Sequence, residues 1–156
     1  MFVLVRHGFA GDKRTWTWPD DERPLTELGR RQAEGLVASL ADVPVTRILS
    51  SPVVRCRQTV TPLAEARGLA VESNPLLEPD GEPERLERLV GRLGDGAVLS
   101  THGEFLDRLL GRWVEAGLRL EGHDAAGTAK GAAWVVEDLG TQRARARYVP
   151  ARPGEP

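Results

Sequence analysis

The chain lacks several features that would settle its class at once. It has one cysteine, Cys56, in 156 residues. No internal disulfide can form, so the fold rests on its own core, which fits a reducing compartment. No stretch approaches the roughly 20 apolar residues of a membrane span. The apolar run at residues 2–5 is too short for the core of a secretory signal, and no basic residues precede it. A cytoplasmic domain without a membrane partner is expected. Excess positive charge is also missing. Lys and Arg number 21 against 23 Asp and Glu, for a formal net charge of −2. That argues against a nucleic-acid partner held by a broad basic field. Histidine is scarce, with three in the chain. His123 stands beside Asp124 without a spaced set of ligands, so it reads as a loop histidine and no metal site is expected. No internal repeat is visible.

What is present suits one packed domain. Hydrophobic residues make up 40% of the chain, enough for a core. The expected domain covers residues 1–150, with 151–156 as a frayed tail. Residues 2–5 read as a short strand buried on both faces. A polar loop over 9–24 follows, with Gly11, Pro19 and Pro24. The next segment, "LTELGRRQAEGLVASL", has helical spacing, with Thr26 as N-cap and Leu28, Leu36, Val37 and Leu40 on one face. "VTRILSS" predicts a second strand. Ser51-Pro52 then predicts a helix start, with Ser51 as cap and Pro52 at the first helical position. That helix should bury Cys56, Val60 and Leu63, with Cys56 as a small core residue.

"LAVES" predicts a third strand and "PERLERLVGRL" a helix with Leu86, Leu89, Val90 and Leu93 as its stripe. "GAVLSTH" predicts a fourth strand. A further helix from Gly103 should face the core through Leu106, Leu109, Leu110, Trp113 and Val114. "GAAWVVEDL" and "RARARYV" predict a closing antiparallel hairpin. Alternating strands and helices point to an α/β domain with a largely parallel sheet.

In such sheets, ligands bind beyond the carboxyl ends of the strands. The first strand ends in Arg6-His7-Gly8. The second ends in Ser50-Ser51-Pro52, with Arg55 one helical turn later. The fourth ends in Thr101-His102-Gly103. Two guanidinium forks and two imidazoles at one sheet edge suit a phosphoryl group. Helix N-termini after Ser51 and His102 add oriented N–H groups. Glycines after both histidines, Gly8 and Gly103, would let a ligand approach the backbone. A neutral imidazole is a competent nucleophile. A second one, if protonated, would stabilise charge on the transferring oxygens. No metal or other cofactor is required.

These segments resemble the histidine phosphatase superfamily, which includes the cofactor-dependent phosphoglycerate mutases. "LVRHG" is similar to its first-strand signature, "RPLTELGRRQA" to its LT-x-x-G-x-x-Q-A helix entry, "ILSSPVVRCRQTV" to its SSP-x-x-R-x-x-QT segment, and "LSTHGEFL" to its second-histidine strand. The resemblance implies a three-layer α/β/α sandwich, phosphoglycerate mutase-like, with a mostly parallel sheet. It implies that His7 is the phosphorylated nucleophile and that Arg6, Arg55 and His102 complete the phosphate pocket, with Gly8 and Gly103 lining it. The short segment between Arg55 and His102 resembles the compact phosphohistidine phosphatase branch and the phosphatase-like domain of some bacterial Nudix proteins. An open site would admit a phosphorylated small molecule, a nucleotide or a phosphoprotein.

The implied activity is metal-independent phosphate hydrolysis through phospho-His7. A non-catalytic phosphate-binding or protein-interaction module, or a phosphomutase, is the alternative. Ester hydrolysis also needs a proton for the leaving alkoxide. Larger members use a carboxylate after the third strand; Glu78 is the best match, with Asp80, Glu82 and Glu104 as rivals. Lys13, Arg14, Trp16 and Trp18 are candidates for the substrate mouth, where a tryptophan could stack a base.

Overall fold

A computed structural model describes residues 1–124 and 127–156. Seven strands form one sheet: β1 (Phe2–Arg6), β2 (Arg47–Ser50), β3 (Val71–Ser73), β4 (Ala97–Thr101), β5 (Arg119–Glu121), β6 (Ala133–Glu137) and β7 (Arg145–Val149). Among the described residues four α-helices accompany them: α1 (Glu27–Ser39), α2 (Val54–Arg67), α3 (Pro83–Leu93) and α4 (Gly103–Glu115). The strand order is β3-β2-β4-β1-β6-β7-β5. Pairing along β3-β2-β4-β1 is parallel. β6 is antiparallel to both β1 and β7, and β7 is parallel to β5, so β6 alone runs against the rest. The sheet is therefore mostly parallel, as expected, and the closing hairpin is β6–β7.

Alternation along β1 divides the core into two layers. Val3 and Val5 face Leu36 of α1, its C-cap Leu40, and Val60 and Leu63 of α2. Phe2 and Leu4 face Leu86, Phe105, Leu106, Leu109 and Trp113 of α3 and α4. Both faces of the strand are thus apolar, which explains its unbroken apolar run. The result is a three-layer α/β/α sandwich. Thr26 caps α1 as expected, its side chain accepting from the Gly29 N–H. Close packing fixes a second feature of this helix. A Cβ at Gly29 would lie 2.0 Å from the Phe9 carbonyl O, so only glycine lets the loop after β1 cross α1 here.

Four local expectations are corrected. First, α2 begins later than Ser51-Pro52 suggested. Its N-cap is Val53, whose side chain carries no hydrogen-bonding atom, and the Ser51 hydroxyl meets both His102 and the Val53 N–H. Second, Val114 is 40% exposed and leaves the core face of α4, while Trp113 stays buried. Third, β5 was not foreseen: it is three residues long, half-exposed and charged, as suits an edge strand. Fourth, the tail does not fray at once. Gln32 Nε2 on α1 donates to the Pro153 carbonyl O at 3.1 Å. The Arg152 carbonyl lies so close to Gly35 that a Cβ there would sit 1.8 Å from its oxygen.

Candidate active site

Register brings the chemistry together. Arg6 pairs with Thr101 across β1 and β4, and Ser50 pairs with Ser100 across β2 and β4. The ladder continues one step past the strands, with His7 N–H donating to Thr101 O at 3.0 Å and Ser51 N–H to Ser100 O at 2.9 Å. His7, His102 and Ser51 therefore emerge side by side at one sheet edge. The imidazoles stand edge to face with ring centroids 5.6 Å apart.

The His7 ring is held in a defined tautomer. Nδ1 lies 2.8 Å from Gly8 O, which can only accept, so Nδ1 carries the proton. Arg55 Nε, which can only donate, lies 3.4 Å from His7 Nε2. The lone pair is thus on Nε2. Burial pushes the His7 pKa down to about 3; the Gly8 bond opposes this, and the charges of Arg55 and Arg6 reinforce it. His7 is a neutral imidazole with its lone pair on Nε2 at any pH near neutrality.

His102, the N-cap residue of α4, has Nε2 2.9 Å from Ser51 Oγ. Ser51 Oγ also accepts from the Val53 N–H at 3.4 Å. Burial, then the Arg55 charge, lowers the His102 pKa to about 4, against Glu104 and Asp20, which act the other way. The free site therefore holds His102 neutral, not protonated, and it would act as an N–H donor. Cys56 Sγ lies 3.5 Å from His102 Nε2. Burial pushes the Cys56 thiol up to about 12, so it packs as a thiol, in keeping with its expected core role.

The arginines come from opposite walls. Arg6 NH1 donates to Thr128 O, whose hydroxyl accepts from Trp134 Nε1 at 3.0 Å. The Arg6 Nε is buried without a hydrogen-bond partner among the described residues. Gly103 is small for the sake of this guanidinium, since a Cβ would lie 2.8 Å from Arg6 Cζ and Nε. Gly8 is small for another reason. Its N–H is taken by Thr59 Oγ1 at 2.9 Å, and a Cβ would meet Gly29 O at 3.0 Å. Gly8 thus packs the loop on α1, and its N–H does not face a ligand.

Arg6, His7 and Arg55 open into a cleft of about 540 Å³, also lined by Phe9, Lys13, Asp20, Arg23, Pro79, Glu104 and Lys130. Among the acid candidates, Glu104 in the first turn of α4 is on the wall. Glu78 is half-buried beside Pro79, with Asp80 and Glu82 exposed, and none of these three lines the cleft. Trp16, Trp18 and Arg14 do not line it either. Trp16 Nε1 is tied to Pro19 O at 3.0 Å and Arg14 to Asp12, while Trp18 is 69% exposed. Sequence reading missed Asp20, Arg23 and Lys130; only the Arg23 position within the "RPLT" stretch offered a signal. Among the described residues no group of three or more His, Cys, Asp or Glu is placed to hold a metal ion. His123 stacks on Tyr148 at 4.3 Å, and Ala125 and Ala126 lie outside the described residues.

Both imidazoles titrate far below their unfolded value near 6.5. The unfolded chain therefore binds more protons between pH 6.5 and the folded values near 3 and 4, and stability rises with pH across that window. The melting temperature should fall as pH is lowered from 6.5 toward 4, and His7→Ala with His102→Asn should flatten the decline. Thermal melts over this range check it; an unchanged slope in the double variant would assign acid lability elsewhere.

Two imidazoles and two guanidinium groups thus gather at one sheet edge, with Arg6, His7 and Arg55 lining the cleft and His102 buried beside them. The model of the histidine phosphatase superfamily (branch 1) matches residues 2–78, and the chain belongs to that superfamily. An 8-oxo-(d)GTP phosphatase from Mycolicibacterium smegmatis is 35% identical over 142 residues, covering 86% of this chain and 43% of the relative. The chain thus spans less than half of that relative's length. The protein histidine phosphatase SixA, solved with tungstate, shares the fold with a TM-score of 0.72 at 22% identity, over 94% of this chain and 92% of that one. A mycobacterial glucosyl-3-phosphoglycerate phosphatase does so with a TM-score of 0.68 at 17% identity, over 94% and 96%. The phosphoglycerate mutase-like fold is therefore the one the sequence motifs implied.

Proposed function

We propose that this chain is a metal-independent phosphatase that works through a phosphohistidine on His7. The observation that carries this reading is the His7 ring itself, locked with its proton on Nδ1 and its lone pair on Nε2, beside Arg55 and Arg6. The Nε2 lone pair attacks phosphorus. The bond from phosphorus to the leaving oxygen breaks, and its electron pair departs with the leaving group. Water then attacks phospho-His7, freeing phosphate and returning the lone pair to Nε2. Arg6, Arg55 and His102 balance charge on the equatorial oxygens, the main need of phosphoryl transfer.

Phosphorylated small molecules, nucleotides first among them, are the substrates to examine, given the 35% identity to a phosphatase of an oxidised nucleotide. An open cleft with cationic walls is compatible with this class. Phosphohistidine proteins form the second class, favoured by the absence of Glu78 from the cleft wall, because a phosphoramidate leaving group needs less help from a carboxylic acid. Phosphate release in excess EDTA, from nucleotides and from a phosphohistidine peptide, tests the proposal and ranks the classes. Activity that EDTA abolishes would overturn it.

Glu104 shares the cleft wall with Asp12 and Asp20, both of which are tied to arginines. Glu104→Gln should slow hydrolysis of an alkyl phosphate by about 10²-fold and leave an activated aryl phosphate, whose leaving group needs no proton, within twofold or so of wild type. Parallel kinetics on the two esters check this. Equal losses on both would assign Glu104 to binding instead.

A further inference from the structure

The 3-10 turn Asp20–Glu22 carries a carboxylate into the cleft that no motif singled out. Asp20 reaches Arg55 at two points. Its carbonyl O accepts from NH1 at 2.8 Å and its Oδ2 from NH2 at 3.1 Å. Its other oxygen, Oδ1, accepts from Arg23 Nε at 3.1 Å. Arg23 is buried, and its NH1 donates to Ala10 O at 2.8 Å, so the turn is anchored to the loop after β1. Asp20 thus bridges two arginines, one structural and one at the nucleophile.

A guanidinium offers two forks. One is formed by the two terminal nitrogens, the other by Nε and one terminal nitrogen. Asp20 occupies the first fork of Arg55 with a carbonyl and a carboxylate together. The second fork faces His7, as the 3.4 Å approach of Nε to Nε2 shows. The Arg55 side chain is 7% exposed and has little room to turn.

We propose that Asp20 is a positioning residue that grips the far fork of Arg55 and so presents the near fork to a phosphoryl group in line with His7 Nε2. The inference rests on the reading of His7 as nucleophile. Asp20 does not serve as a proton donor. Burial raises its pKa, but the bond from Arg23 and the charge of Arg55 outweigh this and hold it below the ordinary carboxylate value.

The opposite role is a rival anion that phosphate must displace from Arg55. The two roles differ in sign. With an activated aryl phosphate, Asp20→Ala should lower kcat by about 10- to 100-fold, the cost of a misplaced catalytic group. It should also raise the inhibition constant of inorganic phosphate. Asp20→Glu, which keeps a carboxylate in reach, should recover much of the loss, while Asp20→Asn should not. Melting temperatures of all three should stay close to wild type. A lower inhibition constant for phosphate, or an undiminished kcat, would overturn the proposal in favour of a rival anion. A loss of kcat that tracks a fall in melting temperature, without rescue by glutamate, would overturn it in favour of a merely structural role.

Calorimetric titration with inorganic phosphate on a His7→Ala background needs no turnover. Weaker binding when Asp20→Ala is added would uphold the grip on Arg55 even if His7 proved not to be the nucleophile. Unchanged or tighter binding would overturn it.

Discussion

Replacing His7 by alanine should cut turnover of an activated aryl phosphate by roughly 10⁴-fold or more, since no other group can take over a removed nucleophile. The described residues offer no substitute at this position. His102 has its Nε2 committed to Ser51 Oγ, and Cys56 is buried as a thiol with its pKa pushed up to about 12. The loss should fall on kcat. Binding of inorganic phosphate should persist, because Arg6, Arg55 and His102 remain. The fold should survive as well, since the His7 side chain contributes no apolar packing to either core layer. Phosphate release and calorimetric phosphate binding, measured on the same preparation, check both halves. Full turnover in the variant would place the nucleophile elsewhere.

The second large effect is expected at Arg55. Arg55→Ala should lower kcat with an aryl phosphate by about 10²- to 10³-fold, the usual cost of deleting one preorganised donor to a transferring or oxyanionic group. Three contacts vanish together: the approach to His7 Nε2 and the two bonds to Asp20. Arg55→Lys should recover little, because an ammonium group cannot span both Asp20 and a phosphoryl oxygen as the two forks do. Steady-state kinetics of both variants, with melting temperature as a control on folding, check this. Near-complete rescue by lysine would mean that charge alone, and not the fork, matters there.

Much of the site was legible because it is written at strand ends. A short apolar run followed by Arg6-His7-Gly8, another by Ser50-Ser51-Pro52, and a third by Thr101-His102-Gly103 each mark a place where a buried strand reaches the sheet edge. Parallel pairing then makes neighbours of residues far apart in sequence. Side-chain duties beyond those ends were harder to read. Ser51 looks like a helix cap, yet its hydroxyl is shared between the Val53 N–H and His102. Gly8 and Gly103 look alike, yet one packs on α1 and the other clears the Arg6 guanidinium. Asp20 lies in a polar loop, and its pairing with Arg55 depends on how that loop folds back, which no local pattern encodes. Glu78 and Glu104 are equally acidic in sequence; only the position of the first turn of α4 puts one of them on the cleft wall.

The most direct test of the account is to catch the phosphoenzyme. The protein would be mixed with excess aryl phosphate, quenched under alkaline conditions within the first turnover, digested and sequenced by mass spectrometry. The account predicts one added phosphoryl group on the peptide that carries His7, at the imidazole, and none in His7→Ala. A phosphoryl group on His102 or another residue, or steady turnover with an unmodified His7 throughout, would contradict it.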